Sequence, residues 1–200
     1  MDDGTPTITR RTVLAGAAAL LPISAIQAAP KPPATALSAS ARATLDAVIS
    51  RLIPNDELGP GALELGAGNY IDTQLAGYLA AEKTAFLNGL EVLEAHAHTT
   101  HAVSFAQLTA EQQDAILISI EDKNFPPVKP FFARLQRLTM EGTFGDPFYG
   151  GNRALAGWDL IRYPGVRLAV APEDQKFDHA PAPSHRSAYA AASGEMNHGH

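Results

Sequence analysis

A chain of 200 residues with a net charge of −6 and no cysteine has room for one domain with a real core and leaves out several kinds of chemistry. No clustered basic surface is available for nucleic-acid phosphates. Without cysteine there is no disulfide, no iron–sulfur cluster, no Cys-x-x-Cys-His haem attachment and no thiolate zinc site.

The chain opens on Thr9-Arg10-Arg11-Thr12-Val13-Leu14. This fits the twin-arginine pattern, in which a Ser or Thr, two Arg, any residue and two apolar residues head an apolar run. Signals of this type are read by a transporter that passes proteins already folded. The run from Val13 to Ile26 is mostly Ala and contains Gly16 and Pro22. It is too short and interrupted to span a bilayer, which takes roughly 20 apolar residues. Residues 1–28 are therefore predicted to be an export signal carried by Arg10 and Arg11. Cleavage is expected near Ala28, although Ile26 stands at −3, where a small residue is favoured; retention as an N-terminal anchor is the alternative. Arg10 and Arg11 offset Asp2 and Asp3, so the chain beyond the signal keeps the whole charge of −6.

Ala29-Pro30-Lys31-Pro32-Pro33 predicts an extended linker over residues 29–37, because successive prolines favour polyproline geometry. Ser38 or Ser40 is placed to cap a first helix. Its Ala41, Leu45, Val48, Ile49 and Leu52 share one face, and Pro54 ends it. The turn Gly59-Pro60-Gly61 leads to a second helical stretch with Leu65, Ile71, Leu75 and Leu79. A third covers about residues 80–97, with Phe86, Leu87, Leu90 and Leu93 as its stripe. Thr109-Ala110-Glu111-Gln112 is a capping-box pattern and opens a helix through Ile116, Leu117 and Ile120. Pro126 and Pro127 break the chain, and Pro130 suits the first turn of a last helix carrying Phe131, Phe132, Leu135, Leu138 and Met140.

No segment alternates with period two, so no strand is predicted. From Gly142 to Val170 glycine, proline and aromatics mix without period, and beyond Pro172 the chain turns polar and rich in Ala, Pro and His. The fold class is all-α: about five helices in a small irregular bundle, with a long aromatic- and glycine-rich non-helical C-terminal segment. The domain is placed at residues 38–170, and residues 171–200 form a polar tail, flexible or wrapped on a partner. Two readings of the aromatic segment stand level on composition. Its rings either lie along a partner's surface, where Trp and Tyr are favoured anchors, or fold back on the chain's own helices.

No residue is assigned a catalytic, cofactor-binding or metal-binding role. Gly66-Ala67-Gly68 lacks the third glycine and the preceding strand of a dinucleotide loop, and no Gly-x-Ser-x-Gly elbow exists. His96, His98 and His101 point to scattered faces of a helix and are expected at its solvated C-terminus, where His also suits the dipole. Asp178-His179, His185, His198 and His200 are expected in a disordered tail. Asp56, Glu57, Glu111 and Asp114 are expected at turns or in a helix's first turn.

Three blocks together carry a resemblance. The first is Ile53-Pro54-Asn55-Asp56-Glu57-Leu58-Gly59-Pro60-Gly61-Ala62 with Tyr70-Ile71-Asp72 and Gln74-Leu75-Ala76-Gly77. The second runs Glu141-Gly142-Thr143-Phe144-Gly145-Asp146-Pro147-Phe148-Tyr149-Gly150-Gly151-Asn152. The third is Gly157-Trp158-Asp159-Leu160-Ile161 leading into Tyr163-Pro164-Gly165. Over roughly residues 40–170 the chain resembles the small (gamma) subunit, subunit 3, of gluconate 2-dehydrogenase and related membrane-bound sugar and polyol dehydrogenases.

The resemblance implies a non-catalytic subunit. In such complexes a large flavoprotein of the glucose–methanol–choline type binds FAD and oxidises the sugar alcohol, and a multihaem cytochrome c passes electrons on. The small subunit serves as chaperone and twin-arginine carrier for the folded large subunit, placing the complex in the periplasm at the inner membrane. On this reading the chain holds no cofactor itself. Phe144, Phe148, Tyr149, Trp158 and Tyr163 are the expected partner anchors. Glu141, Asp146, Gly150, Gly151 and Asn152 are expected to shape the loop, the two glycines through positive φ. The alternative is a free-standing periplasmic binding or scaffold module with no tie to redox chemistry.

Overall fold

A computed structural model of the chain describes residues 35–122, 128–167, 169–176, 178 and 182–189. The predicted export signal with Arg10 and Arg11, most of the Pro-rich linker, the Pro126-Pro127 break, and His179, His198 and His200 lie outside the described residues. Among those described there are α-helices and no strands: α1 (Ala39–Leu52), α2 (Ala67–Ala76), α3 (Lys83–His101), α4 (Ala110–Asp122), α5 (Lys129–Phe144) and α6 (Ala156–Leu160). Short 3-10 turns join them at Ala80–Glu82, Phe105–Gln107, Pro147–Tyr149 and Arg153–Leu155. The all-α reading holds.

Local chemistry explains the boundaries. Ser38, not Ser40, caps α1, its Oγ accepting from the Ala41 N–H at 3.2 Å. At α4 the capping box closes both ways: Thr109 N–H donates to Gln112 Oε1 at 3.0 Å, and Gln112 N–H donates to Thr109 Oγ1 at 3.4 Å. Pro130 sits in the first turn of α5. The last residues of the predicted linker are not free, since Ala36 and Leu37 N–H both donate to Asp72 Oδ1, at 2.6 and 3.0 Å.

The apolar stripes of α1 to α5 meet in one core that includes Leu45, Val48, Ile49, Ile71, Leu75, Leu90, Leu93, Leu135 and Leu138. Burying each such side chain is worth about 1.5–3 kcal/mol. Four details depart from the sequence reading. Leu65 and Leu79 are buried but flank α2 instead of lying on it, because Gly66, at φ 83°, starts the helix and Gly77 ends it. The third helix begins only at Lys83 and continues to His101. Met140 faces solvent at 53 % exposure, since it lies two residues, or about 200°, from core-facing Leu138. Lastly, α5 runs past Gly142 to Phe144. Gly142 lets α5 press against α2, where a Cβ would stand 2.8 Å from the Ala67 Cα.

Asp114, expected as a first-turn residue only, forms a two-point ion pair with Arg51 of α1, at 2.8 and 2.7 Å. The hydrogen bond from Arg51 outweighs desolvation and holds the Asp114 carboxyl below its ordinary range. A carboxyl with a depressed folded-state pKa stabilises fully above its unfolded-state value, and that contribution is lost as pH falls through the folded value. Urea unfolding across pH should show stability declining below about pH 4, with a shallower decline in Asp114→Asn. The pair is partly exposed, so the difference should be under about 1 kcal/mol.

Candidate functional site

The segment after α5 is a tightly built loop. Gly145 N–H donates to the Glu141 carbonyl at 2.8 Å and ends the helix. Asp146 then caps the turn Pro147–Tyr149, Oδ1 accepting from Phe148 N–H at 2.9 Å. Gly150, at φ 96°, closes that turn in the left-handed region. Gly151 does not share the positive φ expected for it; it is glycine because a Cβ there would collide with the Gly142 carbonyl oxygen.

Asn152 holds the loop from inside. It is fully buried. Its Nδ2 donates to the Gly145 carbonyl at 2.8 Å, its Oδ1 accepts from Gly157 N–H at 2.9 Å, and its own N–H donates to the Gly142 carbonyl at 2.8 Å. Arg153 N–H donates to the Leu65 carbonyl at 3.0 Å and ties the loop to the start of α2. Among the described residues, six non-glycines have positive φ, and four of them, Asn152, Ala154, Leu155 and Arg162, lie here. Each such conformation costs on the order of 1–2 kcal/mol and persists only where the surroundings impose it. Among the described residues, most of this backbone strain lies in the loop.

The predicted anchors divide. Phe148 is 63 % exposed, Tyr149 41 % and Tyr163 40 %. Phe144 is half-buried. Trp158 is 3 % exposed, and its Nε1–H donates to the Phe144 carbonyl at 2.9 Å. Tyr163 crosses it edge-on at a centroid distance of 4.9 Å. The reading in which rings fold back on the chain's own helices thus describes Trp158, while Phe148, Tyr149 and Tyr163 present faces to solvent. Glu141 does bind the loop's base: Tyr70 OH donates to its Oε2 at 2.9 Å and Arg137 Nε to its Oε1 at 2.8 Å. Burial, then the Glu141 carboxylate, pushes the Tyr70 phenol well above its ordinary range, so Tyr70 stays a donor at any physiological pH.

The tail adds contacts that join segments far apart in the chain. Residues 182–189, expected in a polar tail that is flexible or wrapped on a partner, lie along this loop. Ser184 N–H donates to the Pro164 carbonyl at 2.6 Å, Val166 N–H to the Arg186 carbonyl at 3.1 Å, and His185 Nε2 meets Asp159 Oδ1 at 2.8 Å. Asp146 accepts from Ser187 Oγ at 2.6 Å and from Ala188 N–H at 2.8 Å. Tyr189 stacks on Phe148 with centroids 4.2 Å apart at 19°, and its hydroxyl bonds that of Tyr149, which raises the Tyr149 phenol pKa. Sequence reasoning missed Ser187 and Tyr189. One signal was available: an aromatic residue inside an otherwise Ala/Pro/His-rich tail.

The other sequence candidates play structural parts. His98 and His101 fall in the last turn of α3, and His98 lies 3.5 Å from Glu94. Asp56 Oδ1 accepts from Leu58 N–H at 2.8 Å in the predicted turn. Hydrogen bonds from its own backbone N–H and from Thr109 lower the Glu111 pKa, as its first-turn place suggests. Among the described residues no group of three His, Cys, Asp or Glu is arranged to hold a metal, and no helix is long and apolar enough to cross a membrane.

Taken together, these features define a small all-α module that presents exposed rings on a strained, internally bonded loop. The Gluconate 2-dehydrogenase subunit 3 family model matches residues 39–165. The chain belongs to that family, and is by membership an accessory subunit of a multi-subunit dehydrogenase. No curated protein and no solved structure matches it. The matched span begins at α1 and ends at Gly165, between the ring-bearing loop and the tail segment that covers part of it.

Proposed function

We propose that this chain is the non-catalytic small subunit of a periplasmic FAD-dependent sugar or polyol dehydrogenase, and that it works as chaperone and twin-arginine carrier for the folded flavoprotein. The observation that carries the reading is the loop from Gly145 to Tyr163. It accepts strain at Asn152, Ala154, Leu155 and Arg162 and still leaves Phe148, Tyr149, Ile161 and Tyr163 open to solvent. A fold that needed those rings for its own core would have buried them. Exposed aromatic side chains on a rigid frame are what a stable protein interface uses as anchors.

The physical logic of a carrier follows from the cofactor. FAD held without a covalent bond is lost if its protein unfolds, so a loaded flavoprotein has to cross the membrane folded. One signal, on Arg10 and Arg11, then serves both chains, provided their contact survives transport. That calls for an interface of about 2,000 Å² or more, to which the loop contributes its centre. Electrons leave the complex through a multihaem cytochrome c where one is present. Expression of the large subunit alone should give poor yield and low FAD content, measured as the flavin-to-protein absorbance ratio, with recovery when this chain is supplied. An equally loaded and active lone subunit would remove the chaperone role.

A further inference from the structure

We propose that the hollow between α1, α2 and the ring-bearing turn binds a neutral polyhydroxylated small molecule, a sugar or sugar alcohol, held by Asp72 and Arg42 against Phe148 and Tyr149. The inference goes beyond the carrier reading and does not depend on it. The hollow is open to solvent and measures about 630 Å³, within the range of about 300–1,000 Å³ of small-molecule sites.

The site is built on a buried charge. Asp72 is only 8 % exposed, and its Oδ1 already accepts from the Ala36 and Leu37 N–H groups, at 2.6 and 3.0 Å. Among the described residues nothing donates to Oδ2, and no cation pairs with the carboxylate. Buried carboxylates are ordinarily paired or fully hydrogen-bonded. Asp72 lines the hollow, and Oδ2 is not sealed inside the protein, because Arg167 Nε is the one buried side-chain nitrogen or oxygen without a partner among the described residues. Oδ2 is thus left for a donor that enters from the hollow.

Arg42 supplies the opposite character. Its Nε donates to Asp46 Oδ1 at 2.7 Å and its Nη2 to Asn69 Oδ1 at 2.9 Å. These bonds offset its charge and fix the guanidinium plane, while Nη1 has no acceptor among the described residues. The Thr73 hydroxyl and the Gln74 amide belong to the same lining and are likewise free of side-chain hydrogen bonds to described residues. Phe148 and Tyr149 add exposed ring surface.

These groups select a ligand by its mix of donors and acceptors. An ammonium only donates and would meet Arg42 as a like charge. A carboxylate or phosphate only accepts and would meet Asp72 as a like charge. A hydroxyl does both. Neighbouring hydroxyls on one carbon chain donate to Asp72 Oδ2 and accept from Arg42, with Thr73 and Gln74 serving others. The C–H groups between them rest against the rings, whose faces are electron-rich. A neutral ligand with several hydroxyls therefore satisfies the whole lining, where a simple ion satisfies half of it.

Calorimetry on the purified full chain tests this with sorbitol, D-glucose, gluconate and glycine as probes. Sorbitol or glucose is expected to bind, and gluconate, which adds a carboxylate to a similar row of hydroxyls, to bind at least about threefold more weakly than the tighter of the two. Asp72→Asn replaces a charged acceptor by an amide and should weaken the tighter neutral probe by about tenfold or more. Phe148→Ala should weaken it by about two- to tenfold. Phe148 is 63 % exposed and outside the core, so that variant folds and gives a reading even where Asp72→Asn, which also loosens residues 36 and 37, does not. No binding of either neutral probe up to about 50 mM would overturn the proposal. So would gluconate or glycine binding more tightly than both neutral probes, or an affinity left unchanged by Phe148→Ala or by a folded Asp72→Asn. Each of these results leaves the carrier reading untouched, because no partner protein takes part.

Discussion

Replacing Arg10 and Arg11 together by Lys is expected to strand the flavoprotein in the cytoplasm with its activity intact. The substitution keeps both positive charges, so a signal recognised by charge alone would still work. A guanidinium, however, offers a planar fork of donors that a lysine ammonium cannot reproduce. Charge-assisted hydrogen bonds of this kind are worth about 1.5–3 kcal/mol each. Losing them at both positions lowers recognition by roughly a hundredfold or more. The measurement is FAD-dependent dehydrogenase activity in separated periplasmic and cytoplasmic fractions. Full cytoplasmic activity shows that folding and FAD loading do not depend on the signal. Normal appearance of the flavoprotein in the periplasm would refute the carrier role, because the partner would then have a route of its own.

The second large effect is on the loop itself. Asn152→Ala removes the donor to the Gly145 carbonyl and the acceptor for Gly157 N–H from a fully buried position. Each group left without a partner costs about 1–3 kcal/mol, and Ala at φ 44° adds strain that Asn tolerates better. The expected loss is about 3–5 kcal/mol, a large share of the 5–15 kcal/mol typical of a whole domain. Asn152→Asp keeps the shape but sets a carboxylate oxygen against the Gly145 carbonyl, so it should be at least as damaging. Urea unfolding gives the magnitude. Fluorescence of Trp158, the one tryptophan in the chain, reports whether the loop loosens, since its indole is bonded to Phe144 and crossed by Tyr163. A loss below about 1 kcal/mol would show that the loop is held by something other than Asn152.

How far the site could be read in advance differs residue by residue. Asp146 and Asn152 make hydrogen bonds within the loop, and an Asp before Pro is a turn signal that acts through short-range contacts local sequence already carries. Gly150 needed its positive φ for the same reason. Gly151 lacks the positive φ expected for it, and the carbonyl that forbids it a side chain comes from Gly142 across the helix end. Trp158 and Tyr149 looked alike in sequence, yet one is 3 % and the other 41 % exposed. Nothing local separates two aromatic residues in a stretch without period.

Sequence alone determined the helical class, the Thr109–Gln112 box, the place of Pro130 and most of the core, because those follow from 3.6-residue periodicity and from capping within a single turn. Tertiary structure alone decided which rings stay open, that Arg51 reaches Asp114 between α1 and α4, and that residues 182–189 return to Asp146. Contacts between residues tens of positions apart depend on how the helices stack and where the chain can close, and neither periodicity nor composition carries that information.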